Sequence, residues 1–145
     1  MGACSFFGHR TAGSFLIPEI KTAVVEMINR GVDLFYVGNN GAFDRAVLSA
    51  LKELRSEYSF RYYIVLAYLP VDKKENHDYD KYETIYPEGL EIVPKRFAIL
   101  KRNEWMIDHS DYVITYVNNY AGSGAARAKK IAVSKGKTVV ELFRG

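Results

Sequence analysis

The stretch 112-YVITYVNNYAGSGAARAKK-130 decides the fold class of this chain. It begins with an apolar run typical of a buried strand, passes through a glycine-rich turn of small residues, and continues with helical spacing. Two other stretches repeat this order, because the run 32–37 leads into 38-GNNG-41 and the run 3–8 leads into 8-GHRTAG-13. Strand, turn and helix in repeated succession predict parallel strands joined by helices.

The rest of the chain continues the alternation. Further strands are predicted at 62–69 and 138–143, and helices are predicted after Pro18, after Gly41, over 95–110 and from the glycine turn to about Lys135. The strands are continuously apolar, which indicates a sheet covered on both faces. We therefore predict an α/β fold, a three-layer Rossmann-like parallel sheet with helices on both faces, in a single domain over 1–145.

Residues 71–94 interrupt this pattern with charges, tyrosines and two prolines. We expect a variable excursion there, with a short strand near 90-LEIV-93. Long connections in compact domains are functional lids or plain surface insertions, and both interpretations stay open.

Composition limits the functional classes. Apolar residues make up 48% of the 145 residues and charged residues 26%, as in soluble globular proteins. The one cysteine, Cys4, excludes a disulfide within the chain, so we expect a cytoplasmic location. No apolar run approaches the ~20 residues that span a membrane, so no membrane partner is expected. The net charge of +3 suits an anionic ligand, but the lysines and arginines are scattered, and we expect nucleic acid not to be a partner.

Ligands of parallel α/β sheets bind at the carboxyl ends of the strands, so the turns at 8–13, 38–41 and 118–124 are expected to meet at one edge. In the last of these turns, Gly122, Ser123 and Gly124 offer backbone amides to a phosphate at a helix N-terminus. Ser123 is also an ordinary N-cap, and both roles stay open.

The turn after the second predicted strand has the same form. Gly38 and Gly41 bracket Asn39 and Asn40, and Asp44 falls in the first turn of the following helix. Asp44 either accepts hydrogen bonds from a ribose or only stabilises the helix N-terminus. The turn is neither a Walker loop, since no GK[ST] follows, nor a strict GxGxxG fingerprint.

The turn 8-GHR-10 places Gly8, His9 and Arg10 just beyond the first predicted strand. Arg10 either binds a phosphate or carboxylate or is an ordinary surface charge, and both roles stay open; His9 is suited to move a proton or to lie beside a base. The three histidines show no ligand spacing, so we predict no metal site and no required cofactor. Farther along, Arg102 and Met106 share one helix face, and we favour a ligand contact for Arg102.

Taken together, these motifs resemble the SLOG superfamily of Rossmann-like nucleotide-binding domains, which includes the LOG phosphoribohydrolases and the DNA-processing protein DprA. The resemblance rests on 8-GHR-10, 38-GNNGAFD-44 and the run 102–128, and covers most of the chain. The opening GHR is most similar to the small YpsA-like branch.

LOG enzymes carry an Arg-Lys-x-x-Met helix followed by a Gly-Gly-x-Gly-Thr-x-x-Glu turn. Set on this sequence, the Lys position holds Asn103, the first glycine is Ala121 and the Thr position holds Ala125. The catalytic Glu falls on Ala128, which can neither donate a proton nor position water. The resemblance thus implies a nucleotide-binding turn without the LOG catalytic group.

We therefore predict a domain that binds or senses a nucleoside phosphate or an NAD-derived nucleotide, with phosphate at the glycine turn 121–124. The alternative is a nucleotide N-glycosidase with a relocated carboxylate, Asp44 or Glu104. A third is a DprA-like nucleic-acid accessory protein. A homodimer and an effector protein are further expected partners.

Overall fold

The computed structural model describes residues 2–69, 83–118 and 123–144. Its strands are β1 (Gly2–Gly8), β2 (Val32–Val37), β3 (Arg61–Val65), β4 (Thr84–Ile85), β5 (Tyr112–Tyr116) and β6 (Thr138–Glu141). Its α-helices are α1 (Ile17–Asn29), α2 (Ala42–Leu54), α3 (Ala98–Asp108) and α4 (Gly124–Ser134).

All neighbouring strands are parallel, in the order β4-β3-β2-β1-β5-β6. Helices α1 and α2 pack together, and α3 packs on α4. Side chains of β1 alternate between two apolar clusters, because Cys4 and Phe6 belong to the cluster of α1 and α2, whereas Ala3 and Phe7 belong to that of α3 and α4. The predicted α/β Rossmann-like sheet with helices on both faces is thereby confirmed.

The helices form where the apolar spacing predicts them. Helix α1 has Pro18 in its first turn, where the absent N–H costs nothing, and Gly31 follows it at φ 97°. The apolar face of α2 is buried as predicted at Phe43, Val47, Ala50, Leu51 and Leu54. Most of the stability of such helices comes from burying this face against the sheet.

The central strand carries one polar side chain into the interior. Ser5 is fully buried, and its hydroxyl contacts the Met106 carbonyl at 3.1 Å and the Ser110 hydroxyl at 2.6 Å. Ser110 also donates to the Met106 carbonyl at 2.8 Å. These bonds satisfy the buried hydroxyls and attach the end of α3 to β1.

Several sequence-based boundaries are wrong, including those of the strand predicted at 138–143, which ends at Glu141, and of the helix predicted over 95–110, which is Ala98–Asp108. The predicted strand at 90–93 is a 3-10 turn over Leu90–Ile92, since Gly89 at φ 91° and the nearby Pro94 leave only a short segment between them. The strand of this excursion is instead Thr84–Ile85, which pairs with Ile64 and Val65. The third strand, predicted to extend to residue 69, ends at Val65. Residues 71–82 of the excursion lie outside the described residues.

Within the described ranges, no helix is long and apolar enough to cross a lipid bilayer. The longest, α1 and α2, have 13 residues each, against the ~20 that a bilayer requires. The cytoplasmic location stays a prediction.

Candidate functional site

A cavity of about 610 Å³ lies at the carboxyl ends of β1 and β2 and beside the start of α4. The chain order reverses between β1 and β5, which is where sheets of this class leave a crevice for a ligand. Most residues proposed from the sequence line this cavity: Gly8, His9, Arg10, Gly38, Asn40, Asp44, Arg102, Ser123 and Gly124.

Other proposed residues lie elsewhere. Glu104 is on the outer side of α3, where it contacts Lys101 at 3.5 Å, so it does not reach the cavity. Neither Asn39 nor Gly41 is part of the cavity wall, but Gly41 packs against Arg10, which is. At φ 104°, Gly41 caps α2, and a Cβ there would lie 2.9 Å from the Arg10 backbone. Gly122 lies outside the described residues.

Arg102 is the most constrained polar side chain of the site. Only 3% of it is exposed, and its guanidinium donates to the Val65 carbonyl at 2.9 Å, to Asn40 Oδ1 at 3.1 Å and to Asn103 Oδ1 at 2.8 Å. Burial lowers the pKa of Arg102, and the nearby Asp44 works in the opposite direction. Since a guanidinium has five N–H donors, these three bonds leave two that described residues do not use.

Asp44 lies beside Arg102 and is also buried. Its Oδ2 accepts a 2.8 Å hydrogen bond from the Asn40 backbone N–H. Burial raises the pKa of Asp44 to about 6, although the Asn40 N–H, Arg102, Arg10 and Arg45 all favour the charged form. Within the described residues, this is the one carboxylate on the cavity wall.

Gly38 allows this arrangement because it has no side chain. A Cβ at Gly38 would lie 2.9 Å from both Arg102 Nη1 and Asp44 Oδ2. Contacts this short are not tolerated, so any larger residue would push the guanidinium and the carboxylate apart.

The sequence suggested a proton shuttle or a base neighbour at His9, and the structure gives this side chain a positioning contact. His9 Nε2 lies 3.0 Å from the Asn118 backbone N–H and accepts its hydrogen bond. An accepting Nε2 requires the neutral ring with its proton on Nδ1. The bond holds the turn after β1 against the end of β5.

Helix α4 begins at the cavity. Ser123 caps it, since its hydroxyl accepts the Ala126 N–H at 3.0 Å, so the capping role considered from the sequence is present. No described residue accepts a hydrogen bond from the backbone N–H of Gly124 or Ala125. Both residues line the cavity, and these donors together with Arg10 and Arg102 make it suited to an anion.

Sequence reasoning missed a carboxylate network behind this turn. Glu141 accepts hydrogen bonds from the Thr115 hydroxyl (2.7 Å), Lys129 (2.8 Å) and the backbone N–H groups of Val117 (2.9 Å) and Phe143 (2.8 Å). Burial opposes ionisation, but these donors outweigh it and lower the pKa of Glu141. A lone acid within the apolar run 138–143 was the available signal.

The described ranges contain no group of three His, Cys, Asp or Glu side chains that could hold a metal ion. The polar groups on the cavity wall are two arginines, one buried carboxyl group, two amide side chains, the His9 imidazole, the hydroxyls of Thr11 and Ser123, and backbone donors.

Comparison with known proteins gives a structural likeness. No family model and no curated protein matches the chain. The structure resembles DNA processing protein A from Helicobacter pylori, described for its single-stranded DNA binding mode, with a TM-score of 0.69 over 99% of this chain at 16% identity. The chain has a DprA-like fold. It spans 66% of the Helicobacter protein, and at this identity the likeness extends to the fold alone.

The expectation that nucleic acid is not a partner is wrong, because this fold occurs in a protein that binds single-stranded DNA. The expectation relied on the net charge of +3, which sums charges over the whole surface. Several of those charges cancel in ion pairs remote from the cavity, such as Lys21 with Glu53. Phosphate binding depends instead on the local charge, here that of Arg10 and Arg102.

The buried carboxyl group predicts a pH dependence of stability. The pKa of Asp44 is raised from 3.8 to about 6, so wild-type protein loses stability as the pH rises across this interval. Asp44→Asn keeps an acceptor for the Asn40 N–H but does not ionise. In urea denaturation, we expect the free energy of unfolding of the variant to rise relative to that of wild type by up to about 3 kcal/mol between pH 4 and pH 7. If the difference in unfolding free energy between the two proteins is constant across this interval, Asp44 does not titrate as a buried group.

Proposed function

We propose that the cavity binds the phosphate and sugar of one nucleotide, and that the ligand is single-stranded DNA. The observation that carries this proposal is the convergence of two arginines and the open N–H groups of α4 on one cavity at the switch point of the sheet. The volume of about 610 Å³ is in the range of pockets that hold small ligands.

Each part of the cavity has a role in this proposal. The phosphate lies at the start of α4, where the N–H groups of Gly124 and Ala125 and the Ser123 hydroxyl are available to it. Arg10, whose side chain is exposed, approaches it from the turn after β1. The buried Arg102 holds the wall and adds a second positive charge, while Asp44 and Asn40 face the sugar.

The same contacts suit a free nucleoside phosphate or an NAD-derived nucleotide, which share the phosphate and sugar. The likeness in fold to a protein that binds single-stranded DNA favours a strand over these free nucleotides. On the sequence motifs 8-GHR-10 and 38-GNNGAFD-44, we also infer membership of the SLOG superfamily, close to its YpsA-like branch.

Hydrolysis of an N-glycosidic bond is the second candidate, and Asp44 favours it. A buried carboxyl group with a pKa of about 6 is suited to act as a general acid near neutral pH. The LOG catalytic position offers no support, since Ala128 is 1% exposed and packs in the cluster of α3 and α4. Binding without hydrolysis is therefore the preferred function.

Arg10→Ala is expected to weaken the binding of a fluorescently labelled octathymidylate about tenfold to hundredfold, as for loss of one charged hydrogen bond. Fluorescence anisotropy over a salt series measures the affinity, and the slope of log K against log salt should fall by about 1. The matched control is Arg30→Ala, which removes an exposed arginine paired with Glu26 at the opposite edge of the sheet. Equal losses in both variants would contradict a phosphate site at Arg10.

Gly124→Val tests the start of α4 directly. A Cβ at Gly124 meets no atom within 4 Å, so the added side chain leaves the packing intact but narrows the cavity. We expect octathymidylate binding to weaken at least ~10-fold with an unchanged circular dichroism spectrum, since close backbone approach to phosphate is lost. Ser134→Val controls for a β-branched residue in α4, at its exposed far end. Undiminished binding by Gly124→Val would show that the ligand binds elsewhere.

The two candidate functions are separated by incubating the protein with AMP or NAD and measuring released adenine and nicotinamide by chromatography. We expect no release above the level without protein, because general acid–base catalysis at an N-glycosidic bond needs a placed carboxyl group and Ala128 supplies none. Release by wild type that disappears in Asp44→Asn would replace binding by hydrolysis as the function.

A further inference from the structure

Three aromatic rings form a cluster beside the cavity, hereafter the aromatic cluster of Phe15, Tyr116 and Phe143. The Phe15 ring lies edge-on to Tyr116 at 6.2 Å between centroids and 80° between planes. Tyr116 lies edge-on to Phe143 at 5.7 Å and 88°. The three residues come from the segment after β1, the end of β5 and the segment after β6, so the cluster lies at the carboxyl edge of the sheet.

The aromatic cluster is continuous with the cavity. His9 is part of the cavity wall and lies edge-on to Tyr116, at 6.4 Å between ring centroids and 82° between planes. Tyr116 therefore contacts a wall residue on one side and Phe15 on another. A chain of ligand groups that leaves the cavity past His9 reaches the aromatic cluster next.

Phe15 is held outward by its own backbone. It is the middle residue of a 3-10 turn over Ser14–Leu16, in which the Leu16 N–H bonds to the Gly13 carbonyl at 3.1 Å. Leu16 is buried in the core, whereas Phe15 is 64% exposed. The anchored neighbour holds the backbone of Phe15, so a ligand that covers its ring orders little additional main chain.

The carboxylate that bonds to the aromatic cluster is compensated on the protein. Glu141 is paired with Lys129 at 2.8 Å and accepts the Phe143 backbone N–H at 2.8 Å. Its negative charge is thereby compensated on the protein. The aromatic cluster therefore adds no uncompensated charge from Glu141 to the edge that Arg10 of the cavity borders.

We propose that Phe15 stacks on the base of the nucleotide adjoining the one held in the cavity, so that the ligand is a single strand of at least two nucleotides. This inference rests on the proposed nucleotide site and adds a second subsite to it. The Phe15 ring contacts Tyr116 edge to face, and this contact leaves a face of the Phe15 ring for a base. Proteins that bind single strands commonly combine such a ring with a positively charged phosphate site.

The test compares a strand with a single nucleotide. Phe15→Ala is expected to weaken octathymidylate binding about 5- to 150-fold, as for loss of one stacked base. In competition, the affinity for thymidine 3′,5′-bisphosphate should change by less than about twofold, because a single nucleotide in the cavity has no adjoining base to stack on Phe15. The control Val133→Ala removes an apolar side chain of similar exposure (60%) from α4 and should change neither affinity.

A second variant gives a direct signal of stacking. Phe15→Trp preserves a flat ring, and its affinity for octathymidylate should equal or exceed that of wild type. Trp105 is the one tryptophan of the natural chain, so fluorescence that appears in Phe15→Trp and not in wild type reports on position 15. We expect octathymidylate to quench this added fluorescence and the bisphosphate to leave it unchanged.

The outcomes separate this inference from the proposed function. If Arg10→Ala weakens octathymidylate binding and Phe15→Ala does not, stacking is refuted while the nucleotide site stands. If wild type binds neither the strand nor the bisphosphate, both are refuted. If Phe15→Ala weakens both ligands equally, Phe15 supports the cavity structurally and the second subsite is rejected.

Discussion

A buried guanidinium has to be hydrogen-bonded in place, and Arg102 meets this requirement by joining three parts of the fold. Its donors end on the last carbonyl of β3 at Val65, on Asn40 in the turn after β2, and on its neighbour Asn103 in α3. Leaving such a charge without partners in the interior would cost several kcal/mol, on the order of the cost of breaking a buried ion pair. The positions of α3, β3 and the turn 38–41 are therefore set together, and the cavity between them follows.

The charge balance of the cavity follows from the same constraint. Asp44 and Arg102 both approach Gly38 on the side where any other residue would have its Cβ. Burial of Asp44 keeps the pKa of its carboxyl group high despite three nearby arginines. With one carboxyl group against Arg10 and Arg102, the cavity carries an excess of positive charge that suits an anionic ligand. The neutral tautomer of His9 and the Glu141 network then fix the ends of β1, β5 and β6 around it.

Several features were predictable because they depend on local rules. The buried positions of α2 follow from helical spacing, and the largely apolar runs of β1 and of Phe35–Val37 in β2 follow from burial on both sheet faces. Prediction failed at 90–93, where an apolar run of four residues fits both a strand and a turn. Glu104, named from the sequence only as a candidate carboxylate, lies two residues from Arg102 and so on a different face of α3, where it contacts Lys101.

The sequence by itself determined the order of strands and helices, the apolar faces and the positions of the turns, because all of these depend on spacing within a few residues and on the special geometry of glycine and proline. Only the tertiary structure decided which polar groups meet. Arg102 and Asn40 are 62 positions apart, and His9 and Asn118 are 109 apart, yet each pair is within hydrogen-bonding distance. Such pairings depend on how the crossovers stack the strands, and this packing brings distant residues to one edge of the sheet.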